Sequence, residues 1–273
     1  MFLIPTTPPK MNNKPFLNLL KLQETPIIDQ LRFEEALIRC DSNNWCIINQ
    51  GSSPAIVMGI SGRPEQLINL SLLEKRPLQL IRRFSGGGTV IVDNKTIFVT
   101  IICNRDAINI PLFPKHISQW MHTFYRPVFN TNKFQLIDHD YTLENRKFGG
   151  NAQYIRKDRW LHHSSLLWDY DPNMMNYLLP PPKMPSYRKE RSHEDFLCRL
   201  KDHLASPHHL IHKINQQLQK AFQVIEVEKD NFPDILQQSH RKSTQEICVQ
   251  ENHCQEGSGI VTINRMCTSG PIP

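Results

Sequence analysis

Arg82-Arg83-Phe84-Ser85-Gly86-Gly87-Gly88-Thr89-Val90 is the stretch on which the reading of this chain turns. Three consecutive glycines stand between two strand-like runs, Leu78 to Phe84 and Thr89 to Val92. Without Cβ atoms such a loop reaches φ values that other residues avoid, and its N–H groups can approach a ligand closely. Two arginines just before it offer charge to a phosphate. The pattern is neither a Walker A loop, since no Gly-Lys-Ser/Thr follows four spacer residues, nor a Rossmann G-x-G-x-x-G. Taken alone, it reads equally well as a tight turn at a sheet corner.

Working outward, Asp29 to Cys40 has helical periodicity, and Trp45 to Asn49 and Ala55 to Ile60 read as strands around a Gly51-Ser52-Ser53-Pro54 turn. Arg63 to Leu73 reads as a helix with Pro64 in its first turn, and Thr89 to Val92 with Thr96 to Cys103 as a hairpin across Asp93-Asn94-Lys95. His116 to Phe124 reads as a helix. Phe134 to Asp138, Thr142 to Lys147, Ala152 to Arg156 and Trp160 to Trp168 read as strands. Ser192 to Leu204 and Pro207 to Val224 close the series as helices. Strands outnumber helices and many are hairpin-connected. The expected fold is therefore α+β, with a mixed, mostly antiparallel sheet and flanking helices.

Two further stretches carry chemistry. In Arg146-Lys147-Phe148-Gly149-Gly150-Asn151-Ala152-Gln153 a lysine stands beside glycines that leave room for its side chain. In Trp160-Leu161-His162-His163-Ser164-Ser165-Leu166-Leu167-Trp168 the adjacent histidines of a strand face opposite ways, so one faces the sheet core or a pocket and the other away.

Together the three stretches resemble the lipoate–protein ligase A family, within the wider biotin/lipoate ligase group. Arg82 to Val90 fits an Arg-Arg-x-Ser-Gly-Gly-Gly-x-Val motif, Lys147 to Ala152 a Lys-x-x-Gly-x-Ala core, and His162 to Leu167 a His-His-Gly-Thr-Leu-Leu-like strand. The resemblance implies a catalytic domain related to class II aminoacyl-tRNA synthetases and biotin ligases. It implies ATP-dependent activation of lipoate to lipoyl-AMP, then transfer to a lysine of a carrier domain. Lys147 maps to the catalytic position. Arg83, Ser85, Gly86, Gly87, Gly88, Thr89, Val90, Ile91, Asp140, Gly150, Asn151, Ala152 and His163 map to substrate and nucleotide binding. Mg²⁺ is expected on the phosphates, with no protein metal centre. The implied partners are lipoyl domains of 2-oxoacid dehydrogenase acyltransferase subunits, the glycine cleavage carrier protein and an accessory subunit. Tyr187-Arg188 to Arg191-Ser192-His193 would cover the site. Ser164-Ser165, His139 and Val92 depart from the family pattern.

The 273 residues are 39% hydrophobic and 21% charged, which excludes a disordered or fibrous chain. A net charge of +6 suits phosphate ligands and an acidic carrier better than nucleic acid. No apolar run approaches the roughly 18 residues of a membrane span. The seven scattered cysteines fit reduced thiols, and a mitochondrial or cytoplasmic rather than secreted protein. Residues 1–26 read as a flexible leader poor in acids, 27–227 as the catalytic domain, and 228–273 as a weakly structured polar tail. Cys248, His253, Cys254 and Cys267 match no zinc spacing. Two other readings stand beside the ligase. One is a lipoyl or octanoyl transferase working without ATP through a cysteine thioester, with Cys103 and Cys198 the nearest thiols. The other is a non-catalytic binding module.

Overall fold

The computed structural model describes residues 14–180, 184–231, 234–251 and 261–264. The first half contains strand β1 (Phe16–Gln23), helix α1 (Ile27–Cys40), β2 (Trp45–Gln50), β3 (Ala55–Met58), the short helices α2 (Pro64–Leu67) and α3 (Leu70–Lys75), β4 (Gln79–Arg82), β5 (Val90–Val92) and β6 (Thr96–Asn104). Then come α4 (Pro114–Phe129), β7 (Phe134–Ile137), β8 (Asp140–Leu143), β9 (Arg146–Ile155) and β10 (Arg159–Leu167). The last described part holds α5 (His193–Phe196), α6 (Pro207–Ala221), β11 (Gln223–Val227), β12 (Gln245–Glu246), β13 (Cys248–Glu251) and β14 (Val261–Asn264).

Eight strands form one sheet in the order β11-β1-β2-β6-β10-β9-β8-β7, and β12-β4-β3-β5 form a second. β1 pairs parallel with β2 and β11, and every other pair in the larger sheet is antiparallel. The expected α+β class with a mostly antiparallel mixed sheet is what the chain adopts.

Side-chain alternation divides the larger sheet into two faces. On β6, Ile97, Val99, Ile101 and Cys103 join the apolar cluster that contains Ile117, Met121 and Tyr125 of α4 and Leu210, Ile214 and Leu218 of α6. The intervening Ile102 belongs instead with Phe33 and Leu37 of α1, and Phe98 with Ile28 and Leu31. α4 and α6 thus cover one face, while α1 and the smaller sheet cover the other. The helix ends follow from local chemistry. Pro114 and Pro207 occupy first turns, Asn130 closes α4 in the left-handed region at φ 47°, and the Ser206 side chain caps α6 by accepting from the His209 N–H.

Several local expectations need correction. Val90–Val92 and Thr96–Asn104 are joined by a turn, but they are not a hairpin: β5 belongs to the smaller sheet and β6 to the larger. The turn hands the chain from one sheet to the other beside Gly51, whose N–H bonds the Thr96 carbonyl. Gly51 has φ +86°, and a Cβ there would lie 2.8 Å from the Asn94 carbonyl oxygen. The helix expected over Arg63 to Leu73 is broken at Ile68-Asn69, where Ile68 bridges to Leu178. The single strand expected over Thr142 to Lys147 is two, reversed at Glu144, which has positive φ. The helix expected over Ser192 to Leu204 shortens to His193–Phe196.

The assigned leader contains a core element, since β1 buries Leu17, Leu19 and Leu20 between two parallel partners. The tail also departs from expectation: Gln245–Glu246 pairs with β4, and Ile235 and Ile247 are buried. Cys40, Cys46, Cys103 and Cys198 are free thiols, but Cys248 is disulfide-bonded. His253, Cys254, Cys267 and residues 1–13 lie outside the described residues. No helix among the described residues is long and apolar enough to cross a membrane.

Candidate active site

A cavity of about 560 Å³ opens between the α1-covered face of the larger sheet and the smaller sheet. β4 delivers Arg83 and the glycine loop to it, β9 delivers Lys147 and Gly150 to Ala152, and β10 delivers His163. Of the residues singled out in the sequence, Arg83, Gly86, Gly87, Gly88, Thr89, Val90, Ile91, Asp140, Lys147, Gly150, Asn151, Ala152 and His163 all line this one cavity. Ser85 lies just behind the wall, fully buried.

The three glycines do different things. A Cβ on Gly87 would lie 2.8 Å from Arg83 Nη2 and 3.3 Å from the Ala152 Cβ, and its φ is +99°. Gly87 is therefore where the loop meets β9. Gly86 and Gly88 face open space, with nothing within 4 Å of an added Cβ. They leave the cavity wall bare of side chains.

Arg83 builds the loop from inside. Its Nη2 donates to the carbonyls of Gly86 at 2.7 Å and Gly88 at 2.9 Å, its Nε to Ser85 Oγ at 3.0 Å, and its Nη1 to the Val57 carbonyl at 3.4 Å. Burial lowers its pKa to about 10, with Glu34 acting in the opposite direction, so the guanidinium is charged at neutral pH. Its N–H groups hold the loop's backbone, and its charge acts on the cavity through space.

Ser85 Oγ lies 2.9 Å from His163 Nε2, and His163 Nδ1 lies 3.0 Å from Glu34 Oε2. A carboxylate can only accept, so Nδ1 carries a proton. In the neutral imidazole Nε2 then accepts from the serine hydroxyl. Glu34 is fully buried and also accepts from Thr100 Oγ1 at 2.6 Å and Gln30 Nε2 at 2.7 Å. A buried carboxylate on α1 thereby fixes the histidine, the serine and, through Arg83, the loop.

Sequence reasoning missed Glu34. Its signal was an acidic pair, Glu34-Glu35, set among the apolar helix residues Leu31, Phe33, Ala36, Leu37 and Ile38, where buried charge demands partners.

The two histidines separate as strand alternation requires. His162 turns to the far face, where Tyr141 Oη lies 2.9 Å from its Nε2 and Gln153 Nε2 lies 3.2 Å from its Nδ1. Burial, with His163 nearby, pushes its pKa down to about 3, so it is neutral.

At the mouth, Lys147 Nζ bonds Asp140 Oδ1 at 2.8 Å, and Tyr187 Oη donates to Asp140 Oδ2 at 2.9 Å. Burial first, then Asp140, raises the Tyr187 phenol well above its ordinary value. Lys147 runs over Gly150, whose added Cβ would sit 3.5 Å from Nζ. Of the segment expected to cover the site, Arg188 and His193 line the cavity and Tyr187 reaches Asp140; just beyond it, the Cys198 N–H bonds the Lys147 carbonyl at 2.8 Å, and Leu197 bridges to Lys147. Arg188 is buried, lines the cavity and lies over the Phe196 ring at 5.0 Å. Val92 and His139, both departures from the motif pattern, also line the cavity. The His139 carbonyl accepts from Asn151 Nδ2.

Neither nearby thiol fits nucleophilic chemistry. Cys103 and Cys198 do not line the cavity. Burial raises both, Cys198 to about 11 and Cys103 further, so they are protonated at neutral pH. Among the described residues no group of three or more His, Cys, Asp or Glu could hold a metal ion.

Residues 26–223 match the lipoyl protein ligase A/B catalytic domain. The chain belongs to that family. It is 25% identical to the inactive lipoate–protein ligase 2 of Plasmodium falciparum (isolate 3D7), over 75% of this chain and 69% of that one. Lipoate–protein ligase A relatives from Mycoplasma pneumoniae and Saccharomyces cerevisiae are spanned over 34% and 41% of their length. Two solved structures share the fold at 16% identity. One is a lipoate–protein ligase A bound with ATP, with TM-score 0.64 over 82% of this chain and 93% of that one. The other is a bipartite lipoate protein ligase studied with its E2 lipoyl domain from Thermoplasma acidophilum, with TM-score 0.62 over 83% and 91%. The family likeness read from the three motifs thus holds over residues 26–223.

Proposed function

We propose that the chain is an active lipoate–protein ligase that forms lipoyl-AMP from lipoate and ATP and passes the lipoyl group to a lysine of a carrier domain. The observation that carries this reading is the Lys147–Asp140–Tyr187 cluster, set at the mouth of an apolar cavity whose wall is the side-chain-free loop Gly86–Gly88. Ile27, Leu31, Val57, Phe98 and Leu167 line the cavity and suit an acyl chain.

In the first step a lipoate carboxylate oxygen bonds to the α-phosphorus of ATP as the bond to pyrophosphate breaks. Both reactants are anionic, so fixed positive charge must meet them. Lys147, Arg188 and the largely buried Arg83 all line the cavity. In the second step the carrier amine bonds the acyl carbon, sheds a proton, and AMP leaves. In this reading Lys147 stabilises the charge that builds on the carbonyl and phosphate oxygens. Loss of one such preorganised donor costs about 3–4 kcal/mol of barrier.

Magnesium fits only as an ion carried in on the nucleotide phosphates. Asp140 has both oxygens engaged by Lys147 and Tyr187, and the described residues offer no other carboxylate cluster. Bound there, it would neutralise phosphate charge. The acceptors are lipoyl domains of 2-oxoacid dehydrogenase complexes and the glycine cleavage carrier protein, and a separate accessory subunit is a further partner.

The likeness to a protein described as inactive favours a second reading, a binding module that keeps the fold. One experiment separates them. The purified chain with ATP, Mg²⁺, lipoate and a lipoyl domain should add one lipoyl group to a single acceptor lysine, read by intact-mass spectrometry. An unmodified acceptor, with lipoate still bound by the protein, would support the module.

A further inference from the structure

α1 carries two adjacent buried carboxylates that face different partners. Glu34 reaches His163, as described above, while Glu35 reaches the C-terminal segment. The Glu35 carboxylate accepts the Ser243 N–H at 2.9 and 3.0 Å and the Thr244 N–H at 2.8 Å, and it pairs with Arg39 at 2.9 Å. The same segment then runs antiparallel along β4. Gln245 stands opposite Arg82, Glu246 opposite Ile81, and the Ile247 N–H bonds the Leu80 carbonyl at 2.8 Å. Upstream, Ile235 joins the apolar cluster that includes Phe84 of the glycine motif. Downstream, Ile247 joins the cluster of Met58, Leu80 and Phe196.

Three separate contacts thus converge on one short stretch. Ile81 and Arg82 lead into the loop, Phe84 lies within it, and Glu35 is the immediate neighbour of the residue that fixes His163 and Ser85. Without the segment, β4 would be the open edge of the smaller sheet. Such an edge is free to pair, fray or shift. The loop hangs from that strand, and its carbonyls are held by an arginine one residue beyond it.

We propose that Ser243–Ile247 is a cis-acting strand that sets the position of the glycine loop, with Glu35 and Ile247 as its positioning residues. The segment occupies the edge of β4 by β-augmentation, taking its affinity from main-chain hydrogen bonds and its register from Ile247 and the Glu35 acceptor. The site is complete only while this strand is seated, so any polypeptide or modification that displaces it opens the loop.

Hydrogen–deuterium exchange of the full chain tests this without relying on enzymatic activity, and its outcome is therefore separate from that of the ligase reading. In Ile247→Asp, amides of 243–247 should lose protection. Those of 83–88 should exchange at least tenfold faster, while β6 and β10 keep theirs. Ile247→Val should behave as the native chain. A synthetic peptide of residues 234–247 added to Ile247→Asp should restore protection of the loop. An unseated segment with an unchanged loop overturns the proposal. Should Ile247→Asp lose protection throughout, Glu35→Ala, which removes the acceptor of both N–H groups, decides the matter by the same comparison of loop against β6 and β10.

Discussion

Gly59 and Gly87 meet backbone to backbone. A Cβ built on Gly59 would stand 2.2 Å from the Gly87 carbonyl oxygen, a distance that no rotamer can relieve. The end of β3 thus presses the loop onto β9. Gly59→Ala should cost about 1–3 kcal/mol, the range seen for overpacking, and weaken lipoate binding by displacing the loop. Urea unfolding and calorimetric titration measure the two effects. A variant with native stability and affinity would show that the loop yields freely. At this scale the sequence was most informative where chemistry is carried by unusual neighbours. A glycine triplet, a lysine before two glycines and paired histidines in a strand all converge on the cavity. Glu34 and Gly59 were not legible. A buried acid is recognised by its partners, and Thr100 and His163 lie 66 and 129 residues away along the chain. The closeness of Gly59 to Gly87 exists only once two strands are placed.

At the scale of elements, β10 shows how one strand serves two purposes. Its even positions Trp160, Leu166 and the neutral His162 pack toward α4, and its odd position His163 serves the cavity. The buried His162 has a measurable consequence. An unfolded histidine titrates near 6.5, whereas burial holds the folded one near about 3. Between those values the unfolded chain binds one more proton at this residue. The folded state therefore loses stability as pH falls below about 6.5, by up to about 1.4 kcal/mol per pH unit. His162→Gln keeps a hydrogen-bond partner for Tyr141 and removes the titration. Its unfolding free energy, followed by denaturant titration between about pH 6 and pH 4, should fall less steeply than the native one, by close to one proton. Parallel slopes would contradict a neutral His162. Strand and helix identities were mostly legible, but sheet membership was not. Val90–Val92 and Thr96–Asn104 look like a hairpin because both are apolar and a turn joins them. Which sheet each strand enters depends on distant partners, Ile56 for β5 and Ile48 for β6. β1 was overlooked for a related reason: its alternation is imperfect, and prolines before it dominate the composition.

Over the described residues, the eight-stranded and four-stranded sheets and α1 enclose a large cavity, and the three motifs reach it from different elements. The larger sheet fixes Lys147 and His163, the smaller one fixes the glycine loop, and α1 ties them through Glu34. Segments read as a leader and a tail contribute β1 and β12, so the working unit is longer than the three motifs alone define. Membership of the lipoyl protein ligase A/B family rests on residues 26–223. Adenylation by this chain is checked by lipoate-dependent exchange of labelled pyrophosphate into ATP, measured on the purified chain and on Lys147→Ala. Exchange in the native chain should require lipoate and fall by about 10²–10³-fold in the variant, the loss expected for one preorganised charge donor. Exchange that is absent from the native folded chain, or that persists undiminished in Lys147→Ala, would contradict it.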